Sequence, residues 1–185
     1  TFLDNHDMGR FNSAVLGDEQ RYLNALTLLF GMRGIPQLYY GNEIGMLGGH
    51  DPENRNEFPG GFDPEPRNAF TAAGRSDSEN LIVDQIKAFT RARKENPDIF
   101  KSKMIHDLKN DIYLVARQDP NTKHTLLLAY NQNDKTEKAS YADIVLTQHN
   151  KVQIIKSPHK GEVQIDLLEK EIILPPDETA MMILK

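Results

Sequence analysis

The chain has 185 residues, a formal net charge of −5, 38% apolar and 26% charged residues, and no cysteine. This composition supports a packed core and argues against disorder. The acidic balance argues against general nucleic-acid binding, which needs a broad cationic face. A disulfide framework and thiolate metal sites are excluded, and no apolar run approaches the roughly 18 residues that a membrane helix requires.

The sequence opens without an initiator Met, on Thr1-Phe2-Leu3, which reads as the end of a strand. A piece of a longer protein is therefore expected, with any targeting signal outside it. The compartment stays unassigned, with a bacterial periplasmic or extracellular setting as the working expectation. Asp4-Asn5-His6-Asp7 follows, then Gly9, so the strand empties into a polar loop. Two carboxylates, an amide and an imidazole in a row suit a polyhydroxylated ligand; they equally suit an Asx-rich turn that satisfies its own backbone. Asp18 is placed to cap a helix, with Glu19 in its first turn. Leu23, Leu26 and Phe30 recur at helical spacing, and apolar neighbours widen the stripe, so burial on more than one side is expected. Gly31 and Gly34 end this helix. Ile35 to Tyr40 reads as a second buried strand, with Pro36 near its start.

From Gly41 to Gly74 no periodicity survives, and a loop of this length is usually functional. It contains Asp51-Pro52-Glu53-Asn54-Arg55 and Phe58-Pro59-Gly60-Gly61-Phe62. A guanidinium and a carboxylate can grip vicinal hydroxyls in pairs, or form an exposed ion pair of little worth. Ser76 and Glu79 have the form of a capping box before a helix that Pro97 stops. Arg91, Arg93 and Lys94 suit the negative end of that helix. Beyond about Phe100 come short β-forming runs with turns between them: Ile112 to Arg117, Thr125 to Tyr130, Val152 to Ile155, Glu162 to Leu167, Ile172 to Leu174 and Thr179 to Leu184. Such spacing predicts an antiparallel sandwich. His106, His124, His149 and His159 lie singly, without metal-ligand spacing, and read as surface residues.

Phe2-Leu3-Asp4-Asn5-His6-Asp7 resembles the F-x-x-N-H-D region of the α-amylase family of glycoside hydrolases. Gly34-Ile35-Pro36-Gln37-Leu38-Tyr39-Tyr40-Gly41-Asn42-Glu43 resembles the family's G-I-P-x-x-Y-Y-G-x-E, in the right order and one helix later. Asp51 to Arg55 resembles its D-P-x-x-R element, and Phe58 to Phe62 the neopullulanase and cyclomaltodextrinase branch. The resemblance implies an α/β part, residues 1–100, comprising the last two β/α units of a TIM (β/α)8 barrel. An all-β part, residues 101–185, is implied as the C-terminal antiparallel β-sandwich that follows the barrel. It further implies Asp7 as the transition-state-stabilising carboxylate, His6, Asn5, Asp51 and Arg55 as substrate-binding residues, and Glu43 as a buried structural acid.

The expected activity is retaining cleavage of α-glucosidic bonds in starch, pullulan or maltooligosaccharides. A transglycosylase of the same family and a non-catalytic carbohydrate-binding relative are the alternatives. The expected partner is an α-glucan or maltooligosaccharide. No metal or cofactor is expected in this chain, and calcium, where the whole protein uses it, would sit elsewhere. Open barrel edges would let this piece form a homodimer. The family takes its nucleophile and acid/base from the fourth and fifth barrel strands, which this piece would lack. The chain alone is thus expected to release no sugar from a maltooligosaccharide; turnover above a blank preparation would contradict the assignment.

Overall fold

The computed structural model describes residues 1–61, 67–156 and 161–185, and divides into two compact units. One comprises residues 1–29 and 35–87, the other residues 30–34 and 88–185. Phe62 of the Phe58–Phe62 motif and His159, expected at the surface, lie outside the described residues.

In the first unit a single turn, α1 (Phe11–Ala14), precedes α2 (Glu19–Gly31), whose Phe30 and Gly31 belong to the second. Asp18 caps α2: its Oδ1 accepts the Arg21 backbone N–H at 3.0 Å. Tyr22, Leu23, Leu26 and Leu29 of this helix are buried. Thr1 to Leu3 and Ile35 to Tyr40, expected as strands, form none. Thr1 N donates to the Ile35 carbonyl at 3.0 Å and Gln37 N to the Thr1 carbonyl at 2.8 Å, one rung of a parallel pattern. A ladder needs a partner along its length, and among the described residues the pairing stops at that rung.

Among its described residues the long loop holds three one-turn 3₁₀ helices, Asn42–Ile44, Glu53–Arg55 and Ala72–Gly74. The capping box then forms as its spacing predicts. Ser76 N donates to Glu79 Oε2 at 2.7 Å, and Glu79 N to Ser76 Oγ at 3.2 Å, opening α3 (Asp77–Glu95). Pro97 both follows that helix and starts α4 (Pro97–Lys101), where its missing N–H costs nothing.

The second unit is built on β1 (Met104–Lys109), β2 (Ile112–Gln118), β3 (Thr125–Asn131), β4 (Glu137–Ser140), β5 (Val152–Lys156), β6 (Gln164–Asp166), β7 (Glu171–Leu174) and β8 (Glu178–Leu184). They form an antiparallel five-stranded sheet, β1-β2-β3-β8-β5, and an antiparallel three-stranded one, β4-β7-β6. Ile112, Leu114, Leu127, Ala129, Met182 and Leu184 of the larger sheet share one core with Ala139, Ile172 and Leu174 of the smaller. The alternate residues Val115, Leu126, Leu128, Met181 and Ile183 are also buried, so the larger sheet is covered on both faces. That is why β8 is buried at every position rather than alternating. The β1–β2 turn places Asn110 and Asp111 at φ 50° and 59°, the paired left-handed conformation of a tight hairpin.

Arg93 sits in the last turn of α3, as expected, and its hydrogen bonds reach another helix. Its Nη groups donate to the carbonyls of Phe30 (2.7 Å) and Gly34 (2.8 Å), while Arg117 Nη1 donates to Met32 O at 3.0 Å. Two guanidinium groups thus satisfy carbonyls at and beyond the C-terminus of α2, where the helix leaves acceptors unpaired. His124 and His149 are half-buried at the surface, and His149 Nε2 lies 3.1 Å from the Lys123 carbonyl. His106 is exposed.

Lys156 and Glu178, with side chains 2% and 0% exposed, form an ion pair at 3.3 Å beside a bulge in β5. Burial lowers the Lys156 ammonium pKa below its ordinary 10.5, against the opposite pull of Glu178. The unfolded chain therefore holds that proton more tightly, and this group's contribution to stability rises as pH climbs toward 10.5. Glu178→Ala, which strands the ammonium, should cost about 3–5 kcal/mol; Lys156→Met with Glu178→Leu should be near neutral. Urea unfolding at about pH 8 and about pH 10 reads both effects, the Lys156→Met change flattening the rise. Equal losses in the single and double variants would contradict this account.

Candidate functional site

The Asp4–Asp7 loop is fixed from within first. Asp4 is buried, and its Oδ2 accepts the Phe11 N–H at 2.7 Å, tying the loop's entry to its exit. Asn5 accepts twice, at Oδ1 from Asp7 N (2.8 Å) and at its carbonyl from Met8 N (3.3 Å). This is the Asx turn that the residue order allowed, so part of Asn5 is spent on backbone rather than on a ligand.

The second support comes from the loop after Tyr40. Asn54 Nδ2 donates to the carbonyls of His6 and Met8, both at 2.9 Å, and Arg55 Nε to the His6 carbonyl at 3.1 Å. Gly48 bonds the two segments at two points: its carbonyl accepts from Arg10 N at 2.9 Å and its N–H donates to Ser13 Oγ at 2.8 Å. A Cβ there would lie 2.4 Å from the Glu53 carbonyl oxygen, so only glycine fits.

His6, Asp7, Asp51 and Arg55 are thereby brought to one exposed surface. His6 Nε2 lies 3.3 Å from Asp7 Oδ1, with the side chains 65% and 71% exposed. Arg55 Nε lies 3.5 Å from Asp51 Oδ1, and Arg55's bond to the His6 carbonyl joins the two pairs. Pairs this exposed add little to stability, so their juxtaposition is more useful to a ligand than to the fold. A cavity of about 490 Å³ in the same unit, lined by Asn12, Leu47, Arg67, Glu79 and Ile82 among others, includes none of the four.

Glu43 is a correction. It is half-buried, not buried; the buried neighbour is Asn42, whose carbonyl accepts the Tyr22 hydroxyl at 2.8 Å. Glu43 acts on Tyr22 through charge: burial first, then Asp4 and Glu43, push the phenol pKa well up. Phe58 is half-buried against Phe70, ring centroids 4.6 Å apart, so it pins its loop.

Sequence reasoning missed two supports, Asn54 and Arg10. Arg10 is 1% exposed, donates from Nη1 to the Tyr40 carbonyl, and lies 4.2 and 4.7 Å from the ring centroids of Tyr39 and Tyr40. A lone Arg after a glycine carries no periodic signal; only its place straight after the loop marks it. Asp4 Oδ1, Arg10 Nε and Nη2, and Asn54 Oδ1 are buried without a hydrogen-bond partner among the described residues. Such unsatisfied groups are rare, and they concentrate here around the loop carrying Asp7.

The family model described as "Alpha amylase, catalytic domain" matches residues 1–111, and so takes in every one of these residues. The chain belongs to the α-amylase family. It is 30% identical over 157 residues to a cyclomaltodextrin glucanotransferase of Bacillus sp. (strain 1011), covering 78% of this chain and 20% of that relative. It is 33% identical over 135 residues to an α-amylase of Niallia circulans, covering 72% of this chain and 22% of that one. The crystal structure of an Anoxybacillus α-amylase matches 100% of the chain with a TM-score of 0.73 at 28% identity, over 37% of its own length. The acarbose complex of the Geobacillus thermoleovorans α-amylase matches with a TM-score of 0.73 at 26% identity, over 38% of its length. The chain thus spans about a fifth of these curated α-amylase-family relatives. No helix among the described residues is long and apolar enough to cross a membrane.

Arg10→Ala removes a charged hydrogen bond and two ring contacts from a buried site. It should destabilise the protein by about 3 kcal/mol in thermal unfolding. A loss under about 0.5 kcal/mol, the level of a surface change, would contradict the buried-anchor role.

Proposed function

We propose that the whole protein is a retaining α-glucoside hydrolase of starch, pullulan or maltooligosaccharides, and that this chain supplies the end of its catalytic barrel and a trailing β-sandwich. In this reading residues 1–100 are the last two β/α units, and the nucleophile and acid/base lie on strands outside this chain. Those two carboxylates must stand about 5–5.5 Å apart across the scissile bond for retention.

The observation that carries the reading is the exposed Asp7–His6 pair joined to Asp51–Arg55 through the bond from Arg55 to the His6 carbonyl. Asp7 is assigned to stabilise the transition state. As the sugar flattens toward an oxocarbenium ion, its hydroxyls become better donors, and an acceptor carboxylate binds them more tightly than in the ground state. His6 and Asn5 are assigned to neighbouring hydroxyls. Among the described residues both Arg55 contacts use Nε, which leaves the Nη pair to grip vicinal hydroxyls beside Asp51. These residues need no cofactor for that work. Calcium, where the whole protein uses it, is held elsewhere.

A second reading, transfer of the glycosyl group to a sugar hydroxyl instead of water, is favoured by the match to a cyclomaltodextrin glucanotransferase. Product analysis with an acceptor sugar separates the two.

In the full-length protein Asp7→Asn should lower kcat about 10²–10⁴-fold with a smaller change in KM. Arg55→Ala should chiefly raise KM. Steady-state kinetics with a maltooligosaccharide reads both, and Asp7→Asn with a wild-type kcat would show that Asp7 is not the stabilising group.

A further inference from the structure

We infer that Asn54 is the positioning residue of Asp7, fixing the backbone on both sides of that carboxylate; this rests on the reading of Asp7 proposed above. The Asp7 side chain is 71% exposed. Packing therefore cannot orient it, and its direction has to be set by the backbone that carries it.

That backbone is held on every side. The peptide unit before Asp7 is gripped at its oxygen by Asn54 Nδ2 (2.9 Å) and Arg55 Nε (3.1 Å), and at its nitrogen by Asn5 Oδ1 (2.8 Å). The unit after Asp7 donates through Met8 N to the Asn5 carbonyl at 3.3 Å. The next carbonyl, that of Met8, accepts from Asn54 Nδ2 at 2.9 Å. A primary amide has two N–H groups, so one Asn54 nitrogen serves both flanking carbonyls, one proton each.

Neither an isosteric nor a truncated side chain does this from the same place. Aspartate would turn lone pairs toward two carbonyl oxygens, and alanine would leave both without their donor. Asn54 is 1% exposed and its Oδ1 is buried without a partner among the described residues. The side chain thus carries the cost of an unsatisfied acceptor in order to present its nitrogen. A purely structural asparagine would be expected to satisfy both ends.

A misplacement of about 1 Å at a reacting centre can cost on the order of 10²-fold in rate. The test is a double-mutant cycle in the full-length protein: wild type, Asn54→Ala, Asp7→Asn and both, with kcat and KM for a maltooligosaccharide. Asn54→Ala is expected to lower kcat about 10²-fold with KM nearly unchanged, and to cost little further once Asp7 is already asparagine. Asn54→Ser, which keeps one donor in a smaller side chain, is expected to lose less and to show the same non-additivity; it carries the test if the alanine variant does not fold. Equal losses in both backgrounds, with Asp7→Asn itself impaired, would overturn the role of Asn54 alone. An Asp7→Asn variant with wild-type kcat would overturn the reading of Asp7 and this inference with it.

Discussion

The carbonyls of His6 and Met8 belong to no helix and no sheet, yet they lie where two chain segments press together. Backbone acceptors in that position need donors, and the donors are side chains 46 or more residues further along, on Asn54 and Arg55. Most of what surrounds the site can be read as a consequence. Gly48 has no side chain because the turn carrying Asn54 must reach the Asp7 loop. Asp4 and Asn5 bind backbone N–H groups rather than solvent, because the loop must arrive already shaped. His6 and Asp7 are then free to face outward, held by what lies beneath them and not by what touches them.

The second unit solves a different problem by similar means. Its larger sheet is covered on both faces, so polar groups within it must be paired or removed. Arg93 and Arg117 are used on the carbonyls around the end of α2, with their guanidinium carbons 4.5 and 5.9 Å from the Phe100 ring centroid. A charge placed where helix acceptors collect is stabilised twice, by hydrogen bonds and by the dipole. Lys156 and Glu178 are the costlier case, since two charges leave water and their attraction must offset both desolvations.

Legibility in the sequence followed the physics of each element. Local chemistry was readable: Asp18 caps α2, and Ser76 and Glu79 cap α3. Four of the six β-forming runs became strands of the larger sheet, where burial demands apolar residues, and the other two became β6 and β7 of the smaller sheet. Two strands escaped for the opposite reason. β1 lies at the sheet edge with half its side chains exposed, and β4 buries only Ala139 among Glu137, Lys138 and Ser140. Thr1 to Leu3 and Ile35 to Tyr40 have strand composition, but composition does not supply a neighbour. The loop motifs marked His6, Asp7, Asp51 and Arg55, whose contacts the structure joins. Asn54 was invisible because it acts through backbone carbonyls 46 and 48 residues away, a relation with no period and no local partner. Glu43 departs from the buried acid that the motif implies because the tight turn at Asn42–Ile44 puts Asn42 inside and Glu43 half out.

The Asn54 amide and its two carbonyl acceptors hold the loop that bears Asp7. Its exchange with solvent can be followed by NMR in protein labelled with ¹⁵N asparagine. The account predicts two well-separated Asn54 Nδ2 proton resonances that exchange far more slowly than those of an exposed asparagine such as Asn121. Averaged resonances, exchanging as fast as those of Asn121, would mean that the bridge does not exist and that the loop bearing Asp7 is held by something else.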